Sequence, residues 1–151
     1  MSNENRSCMK TLDSTIEIAI RFSETDAMGV VWHGNYLKFF EDAREKFGAD
    51  HGMEYLDVYG QGFYTPIVKS DINHKASVYY GQKVKVKAVL EYYQASKIVF
   101  KYIVTNLATG QIAATGSTTQ VFLSVKENVL ELMKPSFYSE WEEKQNWKGN
   151  E

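Results

Sequence analysis

At 151 residues, with 44% hydrophobic, 14% aromatic and 24% charged side chains, the chain has the size and balance of one soluble globular domain. Its net charge of -2 argues against the basic face that nucleic-acid binding requires, and no stretch approaches the roughly 20 apolar residues needed to span a bilayer. The single cysteine, Cys8, excludes an internal disulfide and fits a reducing cytoplasm.

Met1 to Asp13 is polar and aperiodic, and lacks the apolar run of a signal peptide. It reads as a disordered tail (residues 1–13), followed by a single domain over residues 14–151. Ile16, Ile18, Ile20 and Phe22 alternate with Glu17, Ala19 and Arg21, a period of two that predicts a first strand with one buried face. Ser23 to about His33 is a loop holding the turn-permissive Asp26 and Gly29. The period then changes. Tyr36, Phe39, Phe40, Ala43 and Phe47 recur at helical steps, with Gly34 or Asn35 to start the helix and Gly48 or Gly52 to end it.

Strands follow. Phe63 to about Val78 is β-rich, and Pro66 near its start suggests an edge or a bulge. Val84, Val86, Ala88 and Leu90 alternate with Lys85 and Lys87. With Lys83, these lysines read as a solvated strand face. Ile98, Phe100, Tyr102 and Val104 continue the alternation, Asn106 to Gly110 turns the chain, and Gln111 to about Val125 is a last long strand. Pro135 opens a short terminal helix bearing Phe137 and Trp141. Strand, helix, then four strands with hairpin-length links is an α+β order, and a curved antiparallel sheet around the helix would bury its broad apolar face.

One segment concentrates chemistry, from Arg21 to Tyr36. A carboxylate in a loop precedes a helix start, whose free N–H groups carry partial positive charge. Such donors can hold a developing oxyanion while the carboxylate attacks a carbonyl or orients a water. Taken alone, Asp26 and Gly29 read more readily as turn formers. The three histidines and one cysteine lack metal-ligand spacing, and neither G-x-S-x-G nor a phosphate-cradling glycine loop occurs.

The segment Phe22, Glu24, Thr25, Asp26, Gly29, Val30, Val31, Trp32, His33, Asn35, Tyr36 resembles the signature of the 4-hydroxybenzoyl-CoA thioesterase family of hotdog proteins, including its broad short-chain acyl-CoA branch. The following Leu37 to Phe47 resembles that family's central helix, and the strand order fits over roughly Thr15 to Val125. The resemblance implies the hotdog fold, a five-stranded antiparallel sheet wrapped around one central helix. It implies hydrolysis of an acyl-CoA thioester to a free acid and coenzyme A. No cofactor is expected, coenzyme A being part of the substrate, although an acyl carrier protein could replace it. A homodimer or homotetramer is implied, with sites between subunits.

Carried over residue by residue, Asp26 is the catalytic carboxylate and the His33 backbone N–H the oxyanion donor, with the His33 side chain a second candidate. Gly29, Val30, Val31, Trp32, Asn35 and Tyr36 are expected to bind substrate, Gly29 by letting the loop approach the acyl group. Gly34 departs from the usual Ala, Ser or Pro, and Glu24 stands where Asp is frequent. Glu41 is an alternative acid, since a second hotdog branch places its catalytic Glu on the helix. Phe39, Phe40, Phe63 and Tyr64 are candidate acyl-pocket residues with core packing as their default. Lys69, Lys75, Lys97 and Lys101 are unranked candidates for the coenzyme phosphates, and His51 and His74 read as structural or surface residues. The competing functions are a non-catalytic acyl-CoA or lipid-binding module and a hotdog hydratase or dehydratase; the second lacks its His-Phe-Pro pattern here.

Overall fold

The structure, a computed structural model, describes residues 9–149. A five-stranded antiparallel sheet has the order β1 (Thr11–Ala19), β4 (Lys83–Glu91), β5 (Ile98–Asn106), β6 (Ile112–Gln120), β3 (Ile67–His74). Helix α1 (Tyr36–His51) lies on its inner face. The chain therefore has the hotdog architecture.

The alternation in β4 explains the layering. Val84, Val86, Ala88 and Leu90 are buried while Lys83 and Lys85 are exposed and Lys87 half-buried, so every second side chain meets the core. The helix supplies Tyr36, Phe39, Phe40, Ala43 and Phe47 to the same core. Phe40 stacks on Tyr102 with centroids 4.1 Å apart, and Phe47 meets Phe100 edge-on at 5.0 Å. Gly116 of β6 makes the close approach possible, because a Cβ there would lie 2.7 Å from the Phe40 ring. Gly52 ends the helix in the left-handed conformation, φ 76°, the geometry for which glycine has no steric penalty. Phe39 and Phe40 are thus core residues, and Phe63 packs partly buried against the core with Phe122 and Phe137.

The first strand begins at Thr11, not near Ser14, so residues 11–13 belong to the sheet and not to a tail; residues 1–8 of the expected tail lie outside the described residues. Backbone pairing to β4 tolerates the polar side chains, and Lys148 bridges back to Thr11 while its ammonium bonds Asp13 at 3.0 Å. The strand also stops at Ala19, earlier than the alternation to Phe22 suggested, because Phe22–Glu24 tightens into a 3-10 turn. A short helix α2 (Tyr55–Gly60) was not legible, since it buries only Val58 and so has no apolar stripe. The β-rich stretches around Pro66 and Val121 each break in two. Their outer pieces, β2 (Phe63–Tyr64) and β7 (Leu123–Ser124), form a second, two-stranded sheet. Helix α3 (Ser136–Glu143) follows Pro135 as expected and buries Tyr138, Trp141 and Glu142.

The two edges differ. The first residues of β1 are joined by the C-terminal segment at Lys148. Strand β3 ends the sheet on the other side, with Ile67 and Val68 exposed. Among the described residues, no helix is long and apolar enough to cross a membrane.

Candidate active site

The segment from Arg21 to Tyr36 folds as a closed loop between β1 and α1. The Glu24 carboxylate, buried, accepts the Arg21 backbone N–H at 2.7 Å and pairs with the Arg21 guanidinium at 3.0 Å. The Glu24 carbonyl accepts the Trp32 N–H at 3.0 Å and the Asn35 side-chain amide at 2.7 Å. One residue on the near side of the loop thus holds two on the far side, and the Thr25–Val31 bridge continues the clasp.

Within it, the Asp26 N–H donates to the Val30 carbonyl at 2.8 Å, and the Gly29 N–H to the Asp26 carbonyl at 3.0 Å. Asp26 Oδ1 accepts the N–H groups of Met28 at 2.8 Å and Val30 at 3.2 Å. Side-chain bonding of this kind is why Asp suits such a turn. Only Oδ1 is occupied: among the described residues, Oδ2 accepts no hydrogen bond. Gly29 has φ +77° and open space where a Cβ would stand, so the turn's left-handed backbone, not crowding, is what calls for glycine. In the single chain the Asp26 side chain is exposed.

At the far side, Trp32 has extended backbone and His33–Asn35 forms a 3-10 turn leading into α1. The Asn35 N–H bonds the Trp32 carbonyl at 2.9 Å, but among the described residues the His33 and Gly34 N–H groups have no acceptor. They are the orphan donors of a helix start. The exposed Trp32 indole lies 4.8 Å from the His33 ring, centroid to centroid. His74, the last residue of β3, stands 6.3 Å from His33 and 5.1 Å from Tyr36. A carboxylate oxygen without a partner and free amide donors on one clasped loop are the minimum for attack on a carbonyl carbon with charge growing on its oxygen.

The structure divides the expected binding residues. Gly29, Trp32 and the His33 backbone lie open. Val30 is half-buried and bridged to Tyr79. Val31 and Tyr36 are turned into the core, where burial raises the Tyr36 hydroxyl above its usual value. The Asn35 side chain points to the Glu24 carbonyl and not outward, because a polar side chain at the loop base finds its partner there. His74, exposed as a surface residue, brings its ring near His33 and Tyr36 although it lies far along the chain. Only the antiparallel register, which ends β3 beside the helix start, could have revealed it.

Glu41 is exposed on α1, and the Tyr102 hydroxyl, raised chiefly by burial, bonds Arg44 and Thr118. Of the four lysine candidates, Lys75 directly follows His74. Lys97 precedes the opposite end of the sheet, with its ammonium 4.4 Å from the Tyr93 ring. Hollows of about 550 and 370 Å³ are lined by residues such as Lys10, Tyr92 and Trp147, or Gln61, Met133 and Phe137, and include neither Asp26 nor His33. The loop of Asp26 is open in the single chain, so the hollows do not mark it.

The sequence matches the model of the thioesterase-like superfamily over residues 20–141. YneP of Bacillus subtilis, provisionally named an acyl-CoA thioesterase, is 30% identical over 125 residues, covering 83% of this chain and 89% of its own. The structure resembles that of a DHNA-CoA thioesterase from Staphylococcus aureus with a TM-score of 0.78 and 36% identity, covering 87% of each chain. It also superposes on a 4-hydroxybenzoyl-CoA thioesterase from Pseudomonas sp. strain CBS-3 with a TM-score of 0.74 over 85% of this chain and 98% of that one; at 20% identity this is a likeness of fold.

Proposed function

This chain belongs to the thioesterase-like superfamily and is a thioester hydrolase acting on acyl-CoA, and from that premise we propose that Asp26 and the His33 backbone N–H carry the reaction. The observation that supports this reading is the asymmetry of the Asp26 carboxylate. Met28 and Val30 hold Oδ1, which fixes the group, while Oδ2 is left to act. The unpartnered His33 N–H is presented by the same clasped loop.

A thioester is already activated. Its leaving thiolate has a pKa of roughly 8.5 by analogy with Cys, so departure needs little protonation. The remaining requirements are an oxygen to attack or to activate water, and a donor for the carbonyl oxygen. One such donor contributes about 10²–10³ in rate. In one route Oδ2 attacks the acyl carbon, the coenzyme thiolate leaves, and water hydrolyses the resulting mixed anhydride to restore the carboxylate. In the other, Oδ2 takes a proton from water, whose oxygen attacks directly, and the proton passes to the departing thiolate. After a single turnover in H₂¹⁸O, ¹⁸O in the Asp26 carboxylate identifies the first route with water attacking Cγ of the anhydride, whereas the direct route, like attack at the acyl carbon of the anhydride, sends the label to the product acid. The side chain of His33 lies beside the same donor and is a secondary candidate to contact the thiolate.

The working unit in this reading is a homodimer or homotetramer. Strand β3 has an open edge, Ile67 and Val68 are exposed beside it, and Asp26 in one chain lacks cover. Pairing β3 of two copies would satisfy the edge. Lys75, which follows His74 in the chain, is proposed to meet the coenzyme phosphates. The carrier is coenzyme A in preference to an acyl carrier protein, and the compartment a reducing cytoplasm, which suits a single cysteine. Release of free thiol from a panel of acyl-CoA esters tests the reading. Hydrolysis of at least one ester is expected, whereas binding without thiol release would point to a non-catalytic acyl-CoA module.

A further inference from the structure

Gly34 has no side chain at the helix start, and the structure shows what occupies that space. A Cβ built on Gly34 would lie 2.0, 2.4 and 2.7 Å from Cζ3, Cη2 and Cε3 of Trp32. The six-membered ring of the indole therefore rests on the Gly34 backbone. Trp32 is nevertheless 53% exposed, so much of this large apolar ring stays available. The His33 ring lies 4.8 Å away at 44°. The His33 and Gly34 N–H groups of this turn have no acceptor among the described residues.

We propose that the Trp32–Gly34 pair determines acyl specificity: the bare glycine lets the indole lie against the first turn of α1, where it forms a flat wall that favours aromatic over alkyl acyl thioesters. The inference rests on the reading in which the His33 N–H receives the carbonyl oxygen. An acyl group held there by its oxygen projects its substituent from an atom only one bond away, beside the same backbone. The indole face is within reach of that substituent. A planar aryl group can stack on it, while an alkyl chain gains only contact area. Offset stacking adds about 0.5–1.5 kcal/mol beyond burial, or roughly two- to tenfold in relative rate.

The pair can be separated without dismantling the fold, because the three atoms nearest the new methyl belong to the outer end of the exposed Trp32 side chain. Gly34→Ala pushes the indole off the helix start. Trp32→Leu keeps apolar volume and removes the aromatic face. The measurement is kcat/KM for benzoyl-CoA divided by that for hexanoyl-CoA, in the wild type, each single variant and the double variant. The wild type is expected to favour benzoyl-CoA. Each single variant should lower the ratio about two- to tenfold, and the double variant no further than Trp32→Leu alone. An unchanged ratio in Gly34→Ala, or a glycine effect that persists when Trp32 is already Leu, overturns the proposal. Hydrolysis with an unchanged ratio overturns this inference alone. Failure of the wild type to release thiol from either ester overturns the catalytic reading with it.

Discussion

The side-chain amide of Asn35 donates to the main-chain carbonyl of Glu24 at 2.7 Å, across eleven residues of chain. That bond ties the first turn before α1 to the turn preceding Asp26. It fixes the separation between the carboxylate and the free N–H of His33 without touching either. In the proposed reaction Asn35 acts as a positioning residue. Asn35→Ala should lower kcat by about tenfold and leave KM within about twofold, since misplacement of reacting groups costs rate more than ground-state binding. Asn35→Asp, which cannot donate, should behave the same way. A raised KM with normal kcat would instead make Asn35 a substrate ligand.

The donor at the helix start can be tested apart from the His33 side chain. His33→Ala keeps the N–H and should cost less than about tenfold. His33→Pro removes it and should cost about 10²–10³ in kcat. Proline is tolerated here, because Trp32 before it has φ -69° and ψ 135°, the conformation a residue preceding proline adopts, and the lost N–H has no acceptor among the described residues. Circular dichroism confirms folding. Equal activities of the Ala and Pro variants would move the donor elsewhere.

The open β3 edge gives a prediction about assembly. Val68 is 61% exposed on that strand. In the proposed assembly Val68→Asp should shift the mass measured by light scattering from that of an oligomer to that of a monomer and abolish most hydrolysis, because a charge on the edge opposes pairing. A wild type that runs as a monomer with full activity would contradict the proposed assembly.

A buried ion pair closes the C-terminal end of the fold. Lys134 Nζ meets Glu142 Oε1 at 2.9 Å, with both side chains almost wholly buried, and also bonds the Tyr93 carbonyl. Burial raises the Glu142 carboxyl above its ordinary value, and the hydrogen bond and charge of Lys134, with the charge of Lys10, oppose that rise in part. Tyr138, whose hydroxyl is also raised by burial, adds no charge. The folded state therefore holds the Glu142 proton more tightly than the unfolded state does. Stability from this group falls as pH rises from the usual Glu range through the raised value, then levels. Lys134→Met removes the opposing influence and leaves a buried carboxylate unpaired, at a cost of about 3–5 kcal/mol near neutrality. Its Tm deficit should be larger at pH 8 than at pH 5. A deficit independent of pH would mean that packing alone is lost.

Periodicity made the sheet and the central helix legible, because Val84 to Leu90 and Tyr36 to Phe47 each bury one face. The terminal helix was legible from Pro135. What pattern could not reveal were features set by pairing partners. Thr11 to Asp13 are polar yet form strand, and Tyr55–Gly60 is helical without an apolar stripe. In the site, local signals identified Asp26 and the donor at His33 as candidates, through a resemblance covering the whole segment. They could not show that Asn35 turns inward, that Val31 belongs to the core, or that His74 arrives from β3.

Asp26→Asn is the most direct test, because it keeps an acceptor for the Met28 and Val30 amides while removing the negative charge. Thiol release from the best acyl-CoA ester should fall by at least about 10²-fold, with the circular dichroism spectrum and Tm close to those of the parent. Near-normal turnover in that folded variant would contradict the assignment of the reaction to Asp26.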